Sequence, residues 1–286
     1  LSQDLLDAAR KHLSSAAEQV FNRYGEAPAR VETSAAEKFL KQTNLSAITS
    51  QLDPLGLVEM VSGQPRIQTN YKAIVSIRDY IDRNGTVEGK RLIDYFNQDP
   101  FGWSQDTLRY ILAAMLGAGE ITLKISGREV KAVGQQAIEA LKTNKSFGNI
   151  GVSLREAKIS NEVLARAAQR LTELRGDAVI PLERDISDAT VKQFPYYQRD
   201  YGPLAEKLAG LELPGVERLR SLNQELADML LTDASDAPDR LGREESALYD
   251  NLKWAGEVKR SLDNGLETAI RSLQSHQRAI QDLPDT

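Results

Sequence analysis

The chain has 286 residues, 41% hydrophobic and 27% charged, with a net charge of −5, zero cysteines and two histidines, His12 and His276. That length can bury two or three cores. Disulfides, thiolate metal sites and a His-rich metal centre are excluded, and neither a run of about 20 apolar residues nor a signal-peptide core is present, so a cytoplasmic protein with no membrane association, bound metal or cofactor is expected.

Leu5, Leu6, Ala9, Leu13, Ala16, Ala17 and Val20 recur at helical spacing and predict an N-terminal amphipathic helix within residues 1–30. After "GEAPAR", residues 34–43 and 45–52 read as two short helices. "LVEMVSGQPRIQ" then reads as a hairpin around Ser62-Gly63-Gln64-Pro65, which makes residues 31–69 a candidate first, small winged-helix unit.

Residues 70–134 carry the clearest pattern. "NYKAIVSIRDYIDRNG" places Ile74, Ile77, Tyr80 and Ile81 on one helix face, and "VEGKRLIDYFNQDP" gives a second helix with Leu92, Ile93 and Phe96. In "GWSQDTLRYILAAMLGAGEI" Ser104 is a good N-cap, Leu108, Ile111, Leu112, Met115 and Leu116 form a buried stripe, and Gly117 or Gly119 ends the helix. "EITLKI", the Ser126-Gly127 turn and "REVKAV" complete three helices and a two-stranded wing.

A third helix followed by a wing raises the question of base readout. Its expected solvent-facing residues are Gln105, Asp106, Arg109 and Ala113, of which only Arg109 has the geometry for a bidentate guanine contact. Lys90, Arg91, Lys124, Arg128 and Lys131 are the expected phosphate-contacting rim. Residues 71–133 hold nine basic and eight acidic side chains, so no strong positive field surrounds them. A surface used for protein contact and a weak, nonspecific contact to duplex DNA are both open on this pattern.

Residues 135–286 read as an almost wholly helical domain. "GQQAIEALKT" is a short helix, "FGNIGVS" a loop, and "LREAKISNEVLARAAQRLTEL" a longer helix ended by Gly176. "FPYYQRDYGP", from Phe194 through Tyr201, holds four aromatics and two prolines and is not expected to be regular helix throughout. Packing between helices is its default use. "GVERLRSLNQELADMLL" makes a helix, and Arg243 to about Leu283 makes one long helix or two end to end. Leu248, Leu252, Ala255, Leu262, Leu266, Ala269, Leu273 and Ile280 follow alternating steps of three and four, with Lys259 and His276 at the skipped places. Such a seam packs against the preceding helix as a long antiparallel hairpin or against a second copy of itself, making a homo-oligomer. Residues 200–286 carry 10 basic against 17 acidic side chains, so any polyanion contact belongs upstream.

No catalytic constellation stands out. "GTVEGKR" has three residues between its glycines, where a phosphate loop has four, and Arg91 follows the lysine in place of Ser or Thr. "GNIG" follows no predicted strand, and His276 has no visible acid partner. Trp103 and Trp254 read as hydrophobic anchors. The chain is not expected to be an enzyme.

Residues 77–130, above all "PFGWSQDTLRYILAAML", resemble the region downstream of the ATPase in the large P-loop proteins of BREX bacteriophage-exclusion systems, a family that includes the phage-growth-limitation P-loop protein. The resemblance implies a noncatalytic assembly and DNA-contact region of an antiphage ATPase. Its nucleotide site would lie upstream, as the start at Leu1 rather than Met also suggests, and its partners would be its own ATPase domain and other defence-system proteins. The alternative is a free-standing winged-helix transcription regulator with a helical dimerisation tail. The expected fold is mainly α: one or two winged-helix units with small β-hairpin wings, then an α-helical domain ending in the hairpin.

Overall fold

The structure is a computed structural model that describes all residues except Leu1, Thr43, Ser62, 156–158 and 282–286. Ser62 of the expected turn, residues 156–158 of the expected helix start and the expected helix end at Leu283 lie outside the described residues. The chain divides into two compact units, residues 1–158 and 159–286.

The first unit opens with α1 (Ser2–Val20), which leaves Leu5, Leu6, Leu13 and Val20 exposed. A short turn at 24–26 leads to α2 (Ala35–Leu40), and β1 (Val58–Val61) pairs with β2 (Gln64–Ile67) in an antiparallel hairpin. Next come α3 (Lys72–Asn84), β3 (Val87–Glu88), α4 (Gly89–Phe96) and α5 (Gln105–Gly117). Ser104 caps α5 by accepting from the Thr107 amide at 3.1 Å, so the cap and the stripe from Leu108 to Leu116 form as their spacing predicts. Then follow β4 (Ile121–Ile125), β5 (Arg128–Val130), α6 (Gln135–Lys142), α7 (Asn144–Gly148) and β6 (Gly151–Leu154).

β6 changes the topology. The expected loop "FGNIGVS" instead supplies a strand that inserts between β3 and β4, giving a four-stranded antiparallel sheet in the order β3-β6-β4-β5. The β4–β5 hairpin of the expected wing forms, but as part of this larger sheet, and the unit continues through α6, α7 and β6 past the boundary expected at 134/135. Across the strands, Val87, Val152, Leu123 and Val130 form one buried row. Glu88, Gly151, Lys124 and Glu129 form the adjoining outward row.

Residues 31–69 are likewise not a separate winged-helix unit. Phe39, Leu40, Leu57 and Ile67 belong to the same core as α5, and α2 packs directly on α5 and α6. α4 and α7 also meet closely, because Gly89 has no side chain: a Cβ there would lie 1.9 Å from the Phe147 carbonyl oxygen.

The second unit consists of α8 (Asn161–Arg175), α9 (Glu183–Tyr201), α10 (Leu204–Gly210), α11 (Val216–Leu230), α12 (Ala237–Gly242), α13 (Ala247–Ser261) and α14 (Glu267–Gln281). Gly176, at φ 86°, caps α8 as its position predicts. α8 and α12 lie against each other, and Arg166 and Arg170 donate to the Gly242 and Leu241 carbonyls at 3.0 and 2.8 Å, satisfying the end of α12.

Two expectations are modified in this unit, the aromatic segment packing between helices as expected but being regular helix for all but its last two residues. Pro195 sits inside α9, so "FPYYQRDYGP" is helical up to Tyr201. Phe194, Tyr197 and Tyr201 are buried in the core, which compensates the hydrogen bond that Pro195 cannot make. Burial pushes the Tyr197 phenol up to about 12.

The C-terminal seam is also interrupted. Leu262–Leu266 forms a wide turn in which Asn264 (φ −84°, ψ 15°) and Gly265 (φ 95°, ψ 8°) leave helical geometry. α13 packs on α11, and Leu248, Leu252, Ala255 and Leu262 are buried as expected. Beyond the break Leu266 and Leu273 are 40% and 70% exposed, and His276 is exposed too, so the expected long hairpin ends at the turn. No helix of the described residues is long and apolar enough to cross a membrane.

Two substitutions separate buried from open positions. Leu252→Ala should cost roughly 2–5 kcal/mol, whereas Leu273→Ala should stay within about 0.5 kcal/mol. Equal losses in urea denaturation would contradict the burial pattern.

Candidate nucleic-acid interface

A winged helix that reads bases needs its third helix free to enter the major groove. Here every residue of α5 from Thr107 to Leu116 is buried. Four parts of the chain close over it. Thr107 Oγ1 donates to the Ala29 carbonyl at 3.1 Å, Phe39 of α2 meets Tyr110 edge-to-face at 5.4 Å, and α6 and α7 complete the cover around Arg109. Asp53, ahead of β1, accepts from the Tyr110 hydroxyl at 2.6 Å while also receiving the Leu57 and Val58 amides. Burial, then the bond to Asp53, raises the Tyr110 phenol above its ordinary value.

Arg109 is therefore not a solvent-facing guanine reader. Its side chain is 0% exposed, with Nε donating to Asn144 Oδ1 at 2.7 Å, Nη1 to the Leu141 carbonyl at 2.6 Å, and Nη2 to the Thr33 carbonyl at 3.0 Å and to Asp106 Oδ1 at 2.5 Å. A guanidinium taken out of water is tolerated only when its donors are answered in this way. Ala113 is buried too, and Gln105 and Asp106 are half-buried, so the face expected to meet solvent is a packing face.

The expected cationic rim is split. Lys124, on β4, stands in the outward row with Glu88 and Glu129. Lys131 is half-buried and ion-paired with Glu129 at 3.2 Å. Arg128 is exposed opposite Ile125 at the other end of β5, and Arg91 donates to Asn84 Oδ1 at 3.1 Å.

Lys90 and Lys124 do approach a common segment. Cβ atoms built on Gly148 and Gly151 would lie 4.0 Å from the Lys90 Cβ and 3.2 Å from the Lys124 Cβ. Exposed Lys145, on α7, joins this segment because α4 packs on α7. It escapes a sequence reading that assigns residues beyond 134 to another domain. Basic residues thus gather around the α7–β6 connection, with Glu129 opposite Lys124 on the sheet, and the best-placed guanidinium is locked inside.

Three helices, a short strand between the first two and a hairpin after the third define a winged-helix domain, here enlarged by a strand from downstream and followed by a helical unit. Residues 41–156 match the family model of the BREX ATP-binding protein BrxC winged helix-turn-helix domain. This stretch is a BrxC-related winged-helix region. The match takes in α6, α7 and β6 and ends near the close of the first unit. No curated protein and no solved structure matches the chain.

Arg109→Ala should destabilise the first unit by roughly 3–5 kcal/mol, because it strips partners from Asn144, Asp106 and two carbonyls inside the core. Thermal denaturation of the variant checks this. An unchanged midpoint would mean that the side chain does not hold α5, α6 and the 29–33 segment together.

Proposed function

We propose that this chain is a noncatalytic assembly region of a bacterial antiphage ATP-binding protein, in which the winged helix serves protein docking and makes at most weak, nonspecific contact with duplex DNA. The observation that carries the reading is the complete burial of α5 from Thr107 to Leu116. Sequence-specific recognition draws on several side chains at base edges, and beyond the half-buried Gln105 and Asp106 this helix presents none through Leu116. The same burial counts against a free-standing transcription regulator. The relation to a BREX ATP-binding protein supports placing the region in a phage-defence assembly, with its own ATP-binding part and other defence proteins as partners.

Backbone contact falls to Lys90, Lys124 and Lys145 around the α7–β6 connection, with Arg91, Arg128 and Lys131 at its margins. Phosphate contacts of this kind act through counterion release and carry little sequence information.

Gel-shift titrations on random duplexes at two salt concentrations test the reading. Binding should be weak, alike on unrelated sequences and steeply salt-dependent, and a Lys90→Ala/Lys124→Ala pair should reduce the slope of log K against log salt by about 2. A strongly preferred sequence would sink it. In calorimetry the chain should show no saturable ATP binding at low micromolar concentration, since no glycine-rich loop of phosphate-cradling spacing follows a strand among the described residues.

A further inference from the structure

We infer that the turn between α13 and α14 is a two-state hinge, and that α14 exchanges between the bent arrangement of this structure and one collinear with α13. Three independent features lead there.

The first is the phase of the apolar pattern. From Leu248 through Leu252, Ala255, Lys259, Leu262, Leu266, Ala269, Leu273 and His276 the steps alternate between three and four without a slip across Asn264 and Gly265. Two helices joined by a fixed corner have no reason to share a phase, because each packs against its own neighbours. One straight helix has every reason to, since a single stripe must stay on a single side.

The second is the chemistry of the turn. Only Asn264 and Gly265 leave helical geometry, at φ −84° with ψ 15° and φ 95° with ψ 8°. Glycine enters the left-handed region without a Cβ penalty, yet it also adopts helical angles. A change of dihedral angles at these two positions would join the helices. Hinges of this kind confine large φ/ψ changes to a few residues.

The third is how little holds α14 in place. Ile270 is partly buried against the core of the unit, and Gln274 Nε2 donates to the Leu211 carbonyl at 3.1 Å. Most of the other described side chains of the helix, Leu273 at 70% among them, are exposed. Straightening gives up the partial burial of Ile270 and Gln274 and one hydrogen bond, and in return removes the left-handed turn at Gly265, so few interactions separate the two arrangements.

The chain has no cysteine, so paired spin labels can be placed without background. Lys253→Cys and Ser275→Cys put one label on α13 and one on α14, both at exposed positions. A continuous helix separates them by about 33 Å at 1.5 Å per residue, and any bend shortens that distance. Double electron–electron resonance should show two populations in the otherwise unaltered chain. Gly265→Ala, which strains the bent form and favours helix, should raise the ratio of long to short distance by about fivefold or more. Gln274→Ala, which leaves the turn itself intact, should shift it in the same direction. A single distance, short or long, that neither substitution changes would overturn the inference.

Discussion

The first unit is organised by the need to satisfy one guanidinium. Arg109 lies on α5 with no exposed surface, and its hydrogen bonds go to Thr33, Asp106, Leu141 and Asn144. These partners come from the segment before α2, from the first turn of α5 itself, from the end of α6 and from the start of α7. A charge away from water costs several kcal/mol unless such partners are in place together, so the contacts are mutually dependent. The α2 segment cannot leave without stranding Nη2, and the α6–α7 junction cannot move without stranding Nε and Nη1. Placing a charge where a hydrophobic residue would pack gains little net stability. It does impose geometry, because the planar fork donates to oxygen atoms only in set directions.

That geometry accounts for the loss of the groove-facing surface. Seating Asn144 and the Leu141 carbonyl on Arg109 brings α6 and α7 across α5, and the chain then continues into β6, which pairs with β3 and β4. Gly89 lets Phe147 of α7 press onto the start of α4, and Gly151 lets Thr86 and Lys124 close over β6, a Cβ there falling 3.0 Å from Thr86 Cγ2 and 3.2 Å from the Lys124 Cβ. The helix order of a DNA reader is retained while its reading helix becomes the centre of the core.

Much of this order was legible beforehand, and the exceptions have identifiable causes. Ser104, the stripe from Leu108 to Leu116 and the Ser126-Gly127 turn announce their elements because caps, periodicity and turn chemistry are local signals. The solvent side of α5 was misread because a helix buried all round still shows a stripe, and Arg109 carries no local mark of burial when its partners lie 76, 35 and 32 residues away. β6 is short and glycine-flanked, so it lacks the alternation that marks a strand; its partners select it. Pro195 suggested a broken helix, yet aromatic burial on either side of it outweighs one missing hydrogen bond. The unbroken heptad phase leaves one helix or two end to end equally open and does not mark the turn at Gly265. Among the expected DNA-contacting residues, position along the chain was a fair guide to exposure for Lys90 and Lys124 and a poor one for Arg109.

The arrangement of charge on the sheet limits what the remaining cations can do. In the outward row Lys124 lies directly beside Glu129, on a neighbouring strand, and one strand removed from Glu88, with side-chain-free Gly151 between. Neighbouring strands are about 4.8 Å apart, well inside the roughly 8–10 Å over which physiological salt screens charge. A duplex at a distance therefore meets alternating signs that largely cancel, and no long-range steering results. Within the row Lys124 is the one cation between two carboxylates, so the row itself offers little net attraction to an anion. Such a surface is a poor device for drawing a polyanion from a distance.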